Sequence, residues 1–233
     1  MTGKQYILAA GADLSDISRV GSKDNARLIA QLGHHVFGKL DELGVPSFAF
    51  VNGLALGGGL EIALNSTYRT VDASAAALAL PEVFLGLIPG WGGAYLLPNL
   101  IGIENALDVI ISNPLKQNRT LKPQQAFDLG IVDAIFPAAN YLEDSLRWAD
   151  GVLSGAIKVE RKNKPGKLER TMKWPVAIKV ARGMLESKIG TVPRSPYVAL
   201  DLLDKARSGT KAEGFEREDE ALAELVAGAQ FAA

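Results

Sequence analysis

The chain has 233 residues, of which 48% are hydrophobic and 22% charged, and its formal net charge is -1. Its length suits one large domain or a domain with an appendage, and its balanced charge gives no reason to expect nucleic acid as a partner. The absence of cysteine excludes disulfides, thiol nucleophiles and thiolate metal sites.

Neither a signal peptide nor a membrane span is predicted. The first apolar stretch is interrupted at Asp13, too early for a signal peptide. Residues 74–102 carry Glu82 as their only charge, but three prolines and a series of glycines interrupt any single helix there. We interpret this segment as buried strand and turns, and we expect a cytoplasmic protein.

The first two predicted elements are a strand and a helix. Residues 4–11 form a short apolar run that ends in glycine, which is typical of a buried strand. Residues 22–43 have apolar residues at four-residue steps, which predicts an amphipathic helix with Ser22 as its N-cap. The predicted buried stripe of this helix is Leu28, Leu32, Val36 and Leu40.

The two histidines, His34 and His35, are neighbours on this predicted helix. Adjacent helical residues diverge by about 100°, so a shared metal site is not expected. Both histidines flank the apolar stripe, and we interpret them as partly exposed helix residues.

The chain then alternates between predicted strands and helices. Strands are predicted at residues 46–53, 67–72, 76–80 and 131–136, and helices at 59–66, 103–112 and 122–130. In the last of these helices, Pro123 near the start and Gly130 just past the end follow the usual asymmetry of helix termini. The alternation indicates the α/β class, with a parallel or mixed sheet.

After Asn140 the sequence pattern changes and the predicted elements are helices. This change divides the chain into a core, residues 1–140, and a C-terminal helical region, residues 141–233. Within the second part, residues 158–173 contain seven Lys or Arg. Such a basic run is usually a solvated linker, and we prefer this interpretation to a docking surface.

Three consecutive glycines, Gly57 to Gly59, separate the second predicted strand from a helix. A strand, a glycine-rich turn and a helix N-terminus together present backbone N–H groups that suit an anion. The sequence matches neither the Walker nor the dinucleotide-binding pattern, and Glu61 follows at once, so a transient oxyanion fits better than phosphate. A tight strand-to-helix crossing explains the glycines equally well.

Three blocks together resemble the crotonase superfamily, and specifically enoyl-CoA hydratase: "AAGAD" (9–13), "NGLALGGGLE" (52–61) and "LPEVFLGLIPGWGG" (80–93). They have the family's order and spacing. The resemblance implies a β-β-α spiral core followed by a C-terminal helical region. Members usually have several dozen residues before the first block, whereas eight precede it here, so we expect the first strands to be missing from this chain.

The resemblance also implies roles for individual residues. Glu61 and Glu82 match the two catalytic glutamates, which hold one water between them. The N–H groups of Ala12 and Gly58 match the oxyanion hole for the thioester carbonyl. The residues that match the substrate-binding positions are Ala10, Gly11, Asp13, Leu14 and Trp91, the last beside the acyl pocket. No metal or redox cofactor is implied, since coenzyme A arrives as part of the substrate.

The pair of glutamates favours hydration of 2-enoyl-CoA, because members that only shift a double bond typically keep a single glutamate. Two other functions stay open: a Δ3-Δ2-enoyl-CoA isomerase, and a truncated subunit that binds acyl-CoA or assists assembly without catalysis. The family forms trimers or larger assemblies, so a homo-oligomer (trimer or hexamer) is expected.

The C-terminal region, from residue 162 through the helices to Phe231, resembles the segment that follows the hydratase part of multifunctional fatty-acid oxidation proteins. In those proteins it leads into a 3-hydroxyacyl-CoA dehydrogenase half. The present chain has no NAD fingerprint, so we expect no dehydrogenase activity. The same resemblance suggests a thiolase or a dehydrogenase as a protein partner.

Overall fold

The computed structural model describes residues 1–11 and 20–228. Its strands are β1 (Tyr6–Ala9), β2 (Phe48–Val51), β3 (Gly53–Leu56), β4 (Tyr68–Asp72), β5 (Leu78–Ala79) and β6 (Ala134–Phe136). Its α-helices are α1 (Lys23–Glu42), α2 (Gly58–Leu64), α3 (Gly93–Ile101), α4 (Ile103–Leu107), α5 (Asn113–Leu115), α6 (Pro123–Leu129), α7 (Tyr141–Leu153), α8 (Trp174–Ile189), α9 (Arg194–Lys205) and α10 (Lys211–Ala227). Short 3-10 helices cover Glu82–Leu85 and Ala138–Asn140, and π-helical turns cover Asp108–Ser112 and Glu169–Lys173.

The described strands form two parallel sheets of three strands each. One sheet has the order β1-β3-β5 and the other β2-β4-β6. In the second sheet, Val51 pairs with Val71, which in turn pairs with Ile135. Parallel strands need crossover connections, and the helices supply them. The predicted α/β class is therefore confirmed.

A sheet switch at Asn52 brings the glycine turn to the site. The sequence predicts one strand over residues 46–53, but β2 ends at Val51 in one sheet and β3 begins at Gly53 in the other. The side chain of Asn52 accepts from Gly3 N at 3.0 Å and donates to Lys4 O at 2.6 Å, which fixes this corner against the start of the chain. The strand β3 then ends at Leu56, directly before the first of the three glycines.

One buried cluster contains side chains from both sides of residue 140. Leu60 and Val71 belong to it, as do Trp174 in α8 and Leu200 in α9. The indole N–H of Trp174 donates to Leu203 O at 2.9 Å, which joins α8 to α9. The division of the chain at residue 140 stays a prediction.

The predicted helix over residues 22–43 is confirmed as α1, and Ser22 is its N-cap, accepting from Asn25 N at 3.1 Å. The predicted buried face is wrong. Leu28, Leu32 and Val36 are 62%, 60% and 51% exposed. The buried residues of α1 are instead Ala26, Ala30 and His34. Small side chains lie on this face because α10 packs closely against it.

Two further expectations need correction. The strand β1 forms as predicted, but Tyr6 and Ile7 are exposed rather than buried. Residues 74–102 contain not only a strand and turns but also the helix α3, with Pro98 inside it. Because a proline removes one helical hydrogen bond, the sequence argued against a helix that packing nonetheless stabilises. Among the described residues, no helix has the length and apolar character needed to cross a membrane.

Candidate active site

A cavity of about 260 Å³ opens between the glycine turn, the 3-10 segment Glu82–Leu85 and the turn before α3. Its walls are mainly apolar, with two carboxylates among them. The lining residues are Ala10, Gly11, Leu56, Gly57, Gly58, Glu61, Pro81, Glu82, Leu85, Leu87, Ile88, Gly90, Trp91, Asn118 and Leu222.

The three glycines have three different structural reasons. Gly57 has φ 53°, a left-handed backbone that glycine adopts readily. Gly59 allows β1 to approach α2, because a Cβ there would lie 2.2 Å from Ala9 O. Gly58 faces Trp91, since a Cβ there would lie 2.6 Å from Cζ3 of that ring. Close crossing thus accounts for Gly59, whereas Gly58 begins α2 on the cavity wall, where its N–H has no helical acceptor.

Glu61 is buried in α2, with 2% of its surface exposed. Its Oε1 accepts from Trp91 N at 2.7 Å and from Gly93 N at 2.9 Å, both at the start of α3. Burial and the nearby charge of Glu218 raise the pKa of Glu61 to about 7, although the two N–H donors oppose the rise. This carboxylate can exchange a proton near neutral pH.

Glu82 lies across the same cavity, at the start of the 3-10 segment. Its Oε2 is buried and has no hydrogen-bond partner among the described residues. Burial, and then the charge of Glu61, raise the pKa of Glu82 well above its usual range. A Cβ on Gly57 would lie 2.7 Å from Oε1 of Glu82, so the glycine also leaves room for this carboxyl group.

Trp91 forms the wall beside Gly58. Its ring fills the gap between α1 and α2, because Cβ atoms on Gly33 and Gly58 would lie 2.1 Å and 2.6 Å from its atoms. Phe37 contacts the ring edge-on, with centroids 5.6 Å apart. The side chain of Asn65 donates to Trp91 O at 3.0 Å, which fixes the backbone of this turn.

The predicted substrate-binding residues fall into two groups. Ala10 and Gly11 line the cavity, and Gly11 has φ 88° as it passes over Leu56 O. Trp91 lines it as well. The remaining predicted residues, Ala12 of the oxyanion hole and Asp13 and Leu14 of the substrate site, lie outside the described residues.

Sequence reasoning missed a buried polar cluster behind this wall. Nε2 of His34 lies 3.0 Å from Oε2 of Glu218, and Nδ1 lies 2.7 Å from Oδ1 of Asp219. The interpretation of His34 as a partly exposed residue is therefore wrong, whereas His35 is exposed. The sequence shows an acidic run, "EREDE" (216–220), in a C-terminal helix, but nothing in the run itself indicates that Glu218 and Asp219 are buried. The part of the chain that is described holds no group of three or more side chains placed to bind a metal ion.

Comparison with known proteins gives consistent matches. The family model described as enoyl-CoA hydratase/isomerase matches residues 1–191. The fatty acid oxidation complex subunit alpha of Shewanella amazonensis is 32% identical over 249 residues, covering 100% of this chain and 33% of that protein. Its counterpart from Shewanella loihica is 33% identical, covering 97% and 32%. The chain therefore spans about a third of the length of these curated relatives.

Solved structures are similar over most of the chain. An enoyl-CoA hydratase from Geobacillus kaustophilus has a TM-score of 0.56 at 26% identity, covering 88% of this chain and 70% of that one. A carnitinyl-CoA dehydratase from Mycobacterium thermoresistibile has a TM-score of 0.65 at 19% identity, covering 95% and 70%. At that lower identity the second match shows the fold alone.

Proposed function

Since the chain belongs to the enoyl-CoA hydratase/isomerase family, we propose that it catalyses the reversible addition of water to 2-enoyl-CoA thioesters, giving 3-hydroxyacyl-CoA in fatty-acid β-oxidation. The observation that carries this proposal is that the carboxyl groups of Glu61 and Glu82 line one cavity. Hydration needs a base for water and an acid for the α-carbon, and two coupled carboxyl groups can supply both.

Their surroundings favour different protonation states. Glu61 accepts two N–H bonds at the start of α3, and such donors stabilise a carboxylate. Oε2 of Glu82 has no donor among the described residues, so its environment favours the protonated acid. We therefore assign the base to Glu61 and the acid to Glu82, with the pair sharing one proton as a unit.

In the proposed reaction, proton and electron transfers begin at the water molecule. Glu61 takes a proton from water as the water oxygen bonds to the β-carbon of the thioester. The π electrons of the double bond move toward the thioester oxygen as an enolate. Glu82 then gives its proton to the α-carbon, the enolate electrons form the new C–H bond, and the carbonyl is restored. Water is thereby added across the double bond.

The enolate oxygen needs donors that are already in place. Gly58 is the described candidate, because its N–H stands at the first position of α2 on the cavity wall. The second donor, by resemblance, is Ala12. A cavity of about 260 Å³ with mostly apolar walls suits an acyl chain, and Trp91 limits its extent beside Gly58.

The isomerase alternative is tested on the same protein. Incubation with crotonyl-CoA should yield 3-hydroxybutyryl-CoA, whereas an isomerase would convert a 3-enoyl-CoA into its 2-enoyl isomer without adding water. Affinity for crotonyl-CoA without turnover would instead support a binding or assembly subunit. Formation of neither product by folded protein would overturn the proposal.

The remaining proposals follow from the same function. Coenzyme A enters as part of the substrate, and no step above uses a metal or a redox cofactor. We also propose a cytoplasmic location, assembly as a homo-oligomer (trimer or hexamer) and association with a thiolase or dehydrogenase. Size-exclusion chromatography with light scattering would measure the oligomeric state directly.

A further inference from the structure

Two buried carboxylates hold the turn from Trp91 to Tyr95. Glu61 accepts the N–H groups of Trp91 and Gly93 from the cavity side. Glu218 in α10 accepts the intervening Gly92 N–H at 2.6 Å and the Tyr95 N–H at 2.7 Å. Glu61 and Glu218 therefore accept alternating N–H groups at one helix N-terminus. The positive potential of that N-terminus acts on both carboxylates.

Glu218 is itself held in place from behind. It is fully buried, and its Oε2 contacts Nε2 of His34 at 3.0 Å. Burial opposes a charged imidazole, but hydrogen bonds to Asp219 and Glu218 raise the pKa of His34 to about 9. His34 also stacks on Phe215, with ring centroids 4.1 Å apart. At neutral pH the buried imidazolium of His34 in α1 thus contacts two carboxylates of α10, Glu218 and Asp219.

We propose that Glu218, locked by His34, is a positioning residue that sets the geometry of the turn against which Glu61 works. The contact is direct on both sides, since Gly92 binds Glu218 while its neighbours Trp91 and Gly93 bind Glu61. The helix α10 also reaches the cavity itself, because Leu222 is one of its walls. This inference rests on the proposed hydration, and it gives the C-terminal helix α10 a positioning role in that reaction.

The charges around Glu218 determine what its replacement does. His34 faces it from α1, Glu61 from α2 and the phenol-bearing Tyr95 from α3. Lys205 of α9 and Arg217 of α10 line a small space beside it. Glu61 is further faced by Glu82. The charge of Glu218 raises the pKa of Glu61, and that of His34 lowers it.

The two partners therefore predict shifts of opposite sign. Glu218→Gln keeps the shape of the side chain but removes its charge, so the acid limb of the kcat/KM profile should move to lower pH. His34→Gln removes the imidazolium but leaves the two hydrogen bonds that Glu218 accepts from the turn. The acid limb of the kcat/KM profile should therefore move to higher pH. Both oxygens of Glu218 accept N–H groups of the turn, and the NH2 group of a Gln cannot accept one of them, so Glu218→Gln should displace the turn. Its kcat should therefore fall about tenfold to hundredfold, as with small displacements near a reacting group.

Glu216→Gln is the matched control, because it removes one negative charge from the exposed side of the same helix. It should leave the profile unchanged. Variants that lose melting temperature but keep the wild-type pH profile and kcat per active site would show a merely structural cluster and overturn the proposal. Should Glu218→Gln fail to fold, the direction of the His34→Gln shift decides in its place.

A titration of the Glu61 side-chain carboxyl by ¹³C NMR separates this inference from the proposed function. If wild-type protein does not hydrate crotonyl-CoA, the proposed function fails. The positioning by Glu218 is then still tested by whether the apparent pKa of Glu61 falls in Glu218→Gln and rises in His34→Gln. Identical titrations in all four proteins would overturn the inference while leaving the hydration intact.

Discussion

Two carboxylates meet the start of α3 from opposite sides, and they differ in what lies behind them. Glu61 is open to a cavity that holds a second carboxyl group, Glu82. Glu218 is covered by His34 and does not line that cavity. Both accept two backbone N–H groups of the same turn.

Both Glu61 and Glu218 are buried, but only Glu61 faces the cavity where a substrate can react. A buried carboxylate paired with an imidazolium has its charge compensated, so it can hold a structure without exchanging protons. Burial raises the pKa of both Glu61 and Glu218, but His34 hydrogen-bonds Glu218 and opposes the rise there, whereas Glu61 faces a second carboxyl group, Glu82, across the cavity. The N-terminus of α3 therefore donates hydrogen bonds to a reacting carboxylate, Glu61, on one side and to a positioning carboxylate, Glu218, on the other.

Replacing either cavity carboxylate should have the largest effect. Glu82→Gln or Glu61→Gln should lower hydration by ~10² to 10⁴-fold, the usual contribution of a positioned acid or base. The double variant should lose much less than the product of the two single losses, because the groups act as a unit. Crotonyl-CoA turnover per folded molecule is the measurement. Near-full activity of Glu82→Gln would remove the two-carboxylate mechanism and favour the isomerase.

Sequence and structure agree where a local pattern carries the information. The alternation of elements, the N-cap at Ser22 and the turn into α2 all depend on neighbouring residues, and each was predictable. The buried face of α1 was not. The leucines at four-residue steps are exposed, while Ala26 and Ala30 are buried, because the approach of α10 decides which face is covered.

The cavity carboxylates and the cluster behind them differ in the same way. Glu61 and Glu82 stand next to glycine and proline turns that resemble a known family, so their motifs identify them. His34 and Glu218 are 184 residues apart, and neither has a motif. Only the packing of α10 on α1 brings them together, and a periodicity within one helix cannot predict that.

Alanine at adjacent glycines should distinguish the cavity wall from the packing behind it. At Gly58 the new methyl meets the Trp91 ring at 2.6 Å and disturbs the amide that we assign to the enolate. We expect turnover to fall about a hundredfold, the usual loss for one oxyanion donor. The clash with Trp91 also means that this variant should lose some stability.

Gly59→Ala is the partner measurement. Its methyl would lie 2.2 Å from a backbone oxygen, Ala9 O, which cannot move aside easily. We expect the free energy of unfolding to fall by ~1–3 kcal/mol, the usual cost of overpacking. Activity per folded molecule should change little. If Gly58→Ala keeps wild-type specific activity in its folded fraction, the glycines serve the fold alone.

The buried imidazolium predicts a stability that depends on pH. The pKa of His34 is raised from 6.5 to about 9 on folding. Its contribution is therefore fully present below pH ~6.5 and is lost as the pH rises through about 9, amounting to on the order of 3 kcal/mol. Urea unfolding of wild type and His34→Gln should thus differ more at about pH 6 than at about pH 10.

His35→Gln provides the control, since its side chain is exposed on the same helix. Its free energy of unfolding should stay within ~0.5 kcal/mol of wild type at both pH values, as for most surface substitutions. Equal destabilisation by His34→Gln at the two pH values would show that the ring contributes packing against Phe215 and not charge.

The smallest expected effect concerns the part of the cavity wall that Trp91 forms. Trp91 lines it between Gly33 and Gly58, so Trp91→Ala should lengthen the space available to an acyl chain. We expect kcat/KM for long 2-enoyl-CoA substrates to rise relative to crotonyl-CoA by about tenfold, the lower range for a change of one methylene in an apolar pocket.

Phe37→Ala is the control, because Phe37 contacts the Trp91 ring without lining the cavity. It should cost stability and leave the chain-length ratio unchanged. An unchanged ratio in Trp91→Ala, together with a lower melting temperature, would show that the tryptophan only packs α1 against α2.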